Sequence, residues 1–296
     1  MVSAYLIHLL ILICIYLILA ISLQLSVGFT GLLNLGHIAF YCIGAYTSAL
    51  LALQGFPFWF CFLLAGIMAM IFGFLLSIPT NKLKGDYLAL ATMAFSFVVY
   101  AVALNWTSLT RGPLGLPGIP KPSFHIPLTT YRLLLTTNPS FLIFTLLISL
   151  LTYLLIARIV KSPFGKVLEA IRDDELATRV LGKNTLKMKS LSLMISAFFA
   201  GIAGSLYAYY ITFIDPSSFT LMQLIPVLCI VIIGGLGSLK GTAIATIILT
   251  LLPEPLRFIG FPSSIVGPMR QIIYALILLL ILIYKPKGFF GKIELE

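Results

Sequence analysis

Apolar side chains follow one another along this chain in long runs, near 4–25, 32–53, 57–80, 87–107, 140–157, 190–213, 221–236, 242–259 and 270–284. Most runs are close to twenty residues and carry no period-two alternation, so each predicts a helix long enough to cross a bilayer. Barrel strands would be shorter and would alternate in polarity. The expected fold is therefore all-α: a polytopic membrane helical bundle of about eight to ten spans. The first run has no Lys or Arg before it and exceeds a signal-peptide core, so it is expected to be retained as a span. Residues 1–296 are expected to form one domain.

One stretch breaks the pattern. Residues 162–189 read SPFGKVLEAIRDDELATRVLGKNTLKMK and hold ten of the 28 charged side chains. Ser162-Pro163 is a helix start, and Phe164, Val167, Leu168 and Ile171 make an apolar stripe. Asp173 and Asp174 begin a second short helix with apolar face Leu176, Ala177, Val180 and Leu181, closed by Gly182. Two such short amphipathic helices need a surface to lie on. That surface is either anionic lipid or a protein groove. The acidic cluster Asp173-Asp174-Glu175 favours the groove, because anionic headgroups would repel it.

Composition agrees with a lipid solvent. The chain is 60% hydrophobic and 9% charged, against about 25% charged in a soluble domain. Its net charge of +10 comes from basic residues that flank apolar runs, which argues against nucleic-acid binding. With 162–189 placed in the cytoplasm, the inner loops carry Lys82, Lys84, Arg158, Lys161, Lys166, Arg172, Arg179, Lys183, Lys187, Lys189, Lys240, Lys285, Lys287 and Lys292. The outer loops carry only Arg111, Lys121, Arg132, Arg257 and Arg270. This bias predicts a cytoplasmic C-terminus and, with nine spans, an outer N-terminus. The outer loop 108–139 contains RGPLGLPGIPKPSFHIP, too rich in Pro and Gly for regular helix: either a rigid cap or a plain connector.

Cys14, Cys42, Cys61 and Cys229 all lie in apolar runs without metal-ligand spacing, and no metal site or disulfide is expected. GGLGSLKGT is not a phosphate loop, because Lys240 precedes Gly241. No catalytic motif is present, so no enzyme is expected.

The residues resemble a family. Glu169-Ala170-Ile171-Arg172, Asp174-Glu175, Ala177 and Leu181-Gly182 resemble the cytoplasmic coupling loop of ABC-transporter permeases, here about 158–189. LSVGFTGLLNLGHIAFYCIGAYTSALL (25–51), LKGDYLALATMAF (83–95), TRGPLGLPGIP (110–120), VIIGGLGSLKGTAIATIILTLLPEPLR (231–257) and YKPKGFFG (284–291) are similar, in order, to blocks of the LivM-like permeases for branched-chain amino acids. Gly182 follows Glu169 by thirteen residues rather than the six of the strict pattern, so Ala-x-x-x-Leu-Gly is the better anchor.

The resemblance implies a permease subunit of an ATP-driven importer of leucine, isoleucine or valine in a bacterial inner membrane. It implies ABC ATPase subunits that hydrolyse the ATP, a second homologous permease and an extracytoplasmic binding protein as partners. No cofactor is implied in this chain itself. Phe164, Leu168, Glu169, Ala170, Ile171, Arg172, Asp174, Glu175, Leu176, Ala177, Leu181 and Gly182 would form the ATPase-coupling surface. Alternatives are an ABC permease for urea or amides, or a stand-alone secondary transporter or channel. The near absence of mid-span ionisable groups disfavours the last.

Two glycine-broken stretches are candidates for the translocation path. In VGFTGLLNLGH these are Gly28, Gly31, Asn34, Gly36 and His37, where half-helix ends would face the pathway or simply pack. GGLGSLKG reads better as a cytoplasmic turn, since Lys240 marks a membrane edge. Small residues four apart, at Ala197, Gly201 and Ser205 and at Ala200, Gly204 and Ala208, predict close helix packing. Asp215 and Glu254, beside prolines, are expected at outer span ends.

Overall fold

The computed structural model describes residues 2–83, 85–125, 132–134, 138–254, 263–285, 288–289 and 291. Of the basic residues weighed above, Lys84, Arg257, Lys287 and Lys292 lie outside them, as does much of the 126–137 stretch of the outer loop. The chain folds as a helical bundle. In order come α1 (Val2–Gln24), α2 (His37–Leu53), α3 (Phe58–Thr80), α4 (Gly85–Asn105), the short α5 (Thr107–Thr110), α6 (Asn138–Lys161), α7 (Pro163–Asp173), α8 (Glu175–Val180), α9 (Thr185–Ile211), α10 (Leu224–Gly234), α11 (Leu239–Leu251) and α12 (Ser263–Tyr284). Among the described residues, five of these are long and apolar enough to cross a membrane, and four shorter apolar helical stretches accompany them. Among the described residues, strand is confined to β1 (Leu116–Pro117) with β4 (Phe213–Ile214) and β2 (Ser123–His125) with β3 (Arg132–Leu134), both pairs antiparallel.

α9 is the central post, packed by α1, α2 and α3. Its small residues permit this. A Cβ on Gly204 would lie 2.1 Å from the Tyr41 carbonyl oxygen, and one on Gly201 would lie 2.6 Å from the Ala69 Cβ. Gly44 of α2 meets Gly201 just as closely. Among apolar helices in lipid there is little hydrophobic gain from association, so such close backbone approach supplies the dispersion that holds the helices together. The outward rows of α3, α4 and α6 stay exposed and apolar, as a lipid solvent allows; Leu63, Ile67, Ile71 and Ile78 of α3 are examples.

Contacts sort the loops into two ends. At one end β1 pairs with β4, Tyr5 donates to Glu254, and the His8 ring lies 2.6 Å from the Tyr210 hydroxyl. Asp215 at this end accepts from Ser217 and Ser218. At the other end lie α7, α8, the α10–α11 turn and Phe289, whose N–H donates to the Ile233 carbonyl. Lys183→Cys is expected to react with a membrane-impermeant thiol reagent only from the cytoplasm, and Lys121→Cys only from outside. The four native cysteines are buried and contribute little background. Labelling of both from one face would overturn this orientation.

Candidate coupling site

α7 starts where Ser162 caps it, its side chain accepting from the Gly165 N–H, with Pro163 in the first turn. Its apolar stripe turns into the protein: Leu168 and Ile171 are buried, and Phe164 packs against the same core. Lys166 and Glu169 pair at 2.8 Å on the solvent side, Lys166 largely exposed, where an ion pair contributes little. Asp174 ends α7 and caps α8, accepting from the N–H groups of Leu176 and Ala177 at 2.8 and 3.0 Å. Gly182 then takes φ +78°, a conformation that favours glycine, and returns the chain toward α9.

α8 is oriented the other way. Its polar side faces the protein. Glu175 meets the Lys189 ammonium at 2.6 Å, Arg179 at 3.1 Å and the Thr185 hydroxyl at 3.2 Å, and Thr178 is buried. Lys189 belongs to the first turns of α9, so the nearly buried Glu175–Lys189 pair ties α8 to the central post. The apolar side of α8 faces solvent: Leu176 is 66% exposed, Val180 81% and Leu181 79%, with Ala177 beside them. In water that exposed face is unfavourable by tens of calories per square ångström, roughly 25.

Arg172 connects this loop to the first glycine break. α1 ends in a π-turn over Leu25–Phe29, which leaves its last carbonyls without helical partners. Arg172 Nη1 donates to the Gly28 carbonyl at 2.9 Å, a cation at a helix C-terminus. Its Nε and Nη2 hold Asp173 at 2.9 and 2.8 Å. Its aliphatic stem lies on Gly31, which has φ +73° and where a Cβ would come within 2.9 Å of Arg172 Cγ. The second glycine break joins the same junction. A Cβ on Gly28 would meet the Gly237 N–H at 2.7 Å, and Gln24 Nε2 donates to the Gly235 carbonyl at 2.8 Å. GGLGSLKG is thus a turn between α10 and α11 beside the loop that carries Arg172.

From Gly31 the chain runs without helix to Gly36, and α2 begins only at His37, alongside Leu19 and Ser22 of α1. Irregular backbone among apolar helices needs substitute partners, and α4 supplies them. Thr92 Oγ1 accepts from the Leu35 N–H at 3.0 Å, and Ser96 donates to the Leu35 carbonyl at 3.0 Å. Asn34 accepts from the Gly36 N–H at 2.9 Å. His37 Nε2 lies 3.2 Å from the Leu19 carbonyl oxygen and 3.0 Å from Ser22 Oγ; a carbonyl only accepts, so Nε2 carries the proton. Among the described residues, Asn34 Nδ2 and His37 Nδ1 are buried without partners. Thr92→Val is expected to strand the Leu35 N–H and lower stability by about 1–3 kcal/mol, read as a lower melting temperature in detergent. Thr92→Ser should keep the parent value, and an unchanged Val variant would show the hydroxyl to be dispensable.

The candidate coupling and pathway residues therefore meet at one place: Arg172 against Gly28 and Gly31. Asn34, Gly36 and His37 lie further along the same segment, behind α4 hydroxyls. Sequence reasoning missed Gln24, Thr92, Ser96 and Lys189 as parts of this assembly. Only Lys189 carried a signal, as the last charge of the 162–189 stretch.

The chain matches the family model described as branched-chain amino acid transport system / permease component over residues 5–282. It is 39% identical over 293 residues to the high-affinity branched-chain amino acid transport system permease protein LivM of Escherichia coli (strain K12), covering 93% of this chain and 67% of that protein. It is 29% identical over 236 residues to a probable branched-chain amino acid transport permease protein LivM of Methanocaldococcus jannaschii, covering 76% of this chain and 66% of that one. Similarity extends to the Escherichia coli (strain K12) permease protein LivH, 23% identical over 293 residues, with coverages of 95% and 92%. No solved structure matches the chain significantly.

Proposed function

The chain belongs to the family of branched-chain amino acid transport permeases, and from that premise we propose that it is a membrane permease subunit of an ATP-driven importer of leucine, isoleucine and valine. The whole of residues 1–296 acts as one permease domain in a bacterial inner membrane. A binding protein delivers the substrate outside, a second homologous permease completes the path, and ABC ATPase subunits bind and hydrolyse ATP on the cytoplasmic side.

The observation that carries this reading is the inverted helix α8. It turns its acid and threonine inward to Lys189 and Thr185 and leaves Leu176, Val180 and Leu181 in water. A short helix held rigidly with its oily face outward, on the side remote from the outer loops, fits a groove in a partner protein. Arg172 supplies the mechanical route inward. Movement of α7 and α8 is passed through Arg172 to the π-turn at Gly28 and the non-helical segment at Gly31. Such backbone, unlike a continuous helix, absorbs a change of dihedral angles locally.

The test is uptake of labelled leucine into proteoliposomes. The reconstituted complex with ATPases, second permease and binding protein should accumulate leucine only with ATP. Transport by this chain alone, or by the complex without ATP, would defeat the proposal. Uptake of urea but not leucine would keep the mechanism and replace the substrate.

A further inference from the structure

A partly open cavity of about 80 Å³ lies away from the α7–α8 loop, between α1, α2, α9 and the segment before α10. A volume of this kind has room for about five waters, or for one compact molecule in their place. Its lining is sorted by polarity. Leu19 and Ile38 form an apolar floor; the phenols Tyr16, Tyr41 and Tyr207 form the wall; Ser218 and Gln223 form the roof. Among these there is no charged side chain.

We propose that this cavity is a transit site for a small aliphatic zwitterion, in line with the importer function argued above, on which it rests. The chemistry of the lining selects the class. Hydroxyls and an amide both donate and accept, so they can meet an ammonium and a carboxylate together. A ligand of net charge would find no opposite charge among these residues, and an unpaired charge is costly to remove from water. The Leu19–Ile38 floor takes the aliphatic side chain. Neutral contacts also hold a passing solute loosely enough to release it, as conduction requires.

The location joins the two ends of the molecule. The floor residue Leu19 gives its carbonyl to His37 Nε2, and His37 opens α2 at the end of the non-helical segment that Arg172 touches. The roof is two 3-10 turns, Pro216–Phe219 and Leu221–Gln223. They follow β4, whose Ile214 pairs with Leu116 of the outer loop, and Ile119 N–H donates to the Thr212 carbonyl at 3.2 Å. Phe219 wedges beneath the roof between Tyr41, Tyr46 and Tyr207. Displacing the outer loop thus moves the roof, and shifting the segment at Gly31 moves the floor.

The experiment uses the reconstituted complex, with labelled leucine and labelled valine delivered by the same binding protein. Tyr41→Phe/Tyr207→Phe keeps both rings and removes only their hydroxyls; it is expected to lower uptake of both solutes at least fivefold. Leu19→Phe shortens the floor, and the ratio of leucine to valine uptake should fall at least threefold. A folding defect would lower both solutes alike, so this ratio separates selectivity from misfolding. Failure of the wild-type complex to take up either amino acid would overturn the importer function and the transit site with it. Wild-type uptake that persists in the double Phe variant, with an unchanged ratio in Leu19→Phe, would overturn the transit site alone.

Discussion

Replacing Leu176 and Leu181 together by Asp is expected to abolish ATP-driven uptake and to leave the permease itself as stable as the parent. Both side chains are mostly in water in the isolated chain, at 66% and 79% exposure. New carboxylates there stay hydrated, and surface changes of this kind shift stability by about 0.5 kcal/mol or less. Docking reverses the balance. An apolar groove closing over an unpaired carboxylate costs about 3–5 kcal/mol, which is roughly a hundred- to several-thousandfold in affinity. The measurements are the melting temperature of the purified permease, co-purification of the ATPase subunits, and substrate-stimulated ATP hydrolysis. Loss of the last two at an unchanged melting temperature is the expected pattern. Full stimulation in the double variant would mean that α8 is not the docking element. Ile171→Asp is the contrast: Ile171 is buried in this chain's own core, so its carboxylate should lower the melting temperature directly.

The bundle was legible in the pattern of apolar runs because lipid removes most alternatives: a twenty-residue apolar segment can satisfy its backbone only as a helix. The boundaries moved where local backbone chemistry intervened. The run at 32–53 begins as helix only at His37, since Leu35 in the segment before it is bonded by Thr92 and Ser96 of another helix. The runs at 221–236 and 242–259 became helices of 11 and 13 residues, ended and started around Gly235 and Ser238. Neither is long enough to span a hydrocarbon core of about 30 Å on its own.

The two amphipathic helices of the charged run were legible as helices, with their apolar stripes. Periodicity locates a stripe on a helix but carries no sign for what covers it. The α7 stripe is covered by this chain, whereas that of α8 is not, because Glu175 finds Lys189 fourteen residues away and turns the polar side inward. Arg172 was legible as a member of the loop. Its partner was not, because a backbone carbonyl freed by a π-turn has no residue-type signature.

Arg172→Ala is expected to separate ATP hydrolysis from transport. The variant keeps the exposed face of α8 and should still recruit the ATPases. It loses the bond from Nη1 to the Gly28 carbonyl and the stem packed on Gly31. A hydrogen bond from a charged donor is worth about 1.5–3 kcal/mol, and here it is one of few polar links between the loop and the end of α1. Without it, motion of α7 should slip past the π-turn, and leucine accumulated per ATP hydrolysed should fall about tenfold while the ATPases still co-purify. Arg172→Lys should restore only part of this, since one ammonium cannot hold Asp173 through two nitrogens and Gly28 through a third. Gly31→Ala approaches the same joint from the other side. Its methyl would press on Arg172 Cγ from 2.9 Å at φ +73°, so it too should lower the ratio. Parent coupling in both Arg172→Ala and Gly31→Ala would show that force reaches α2 by a route that bypasses this junction.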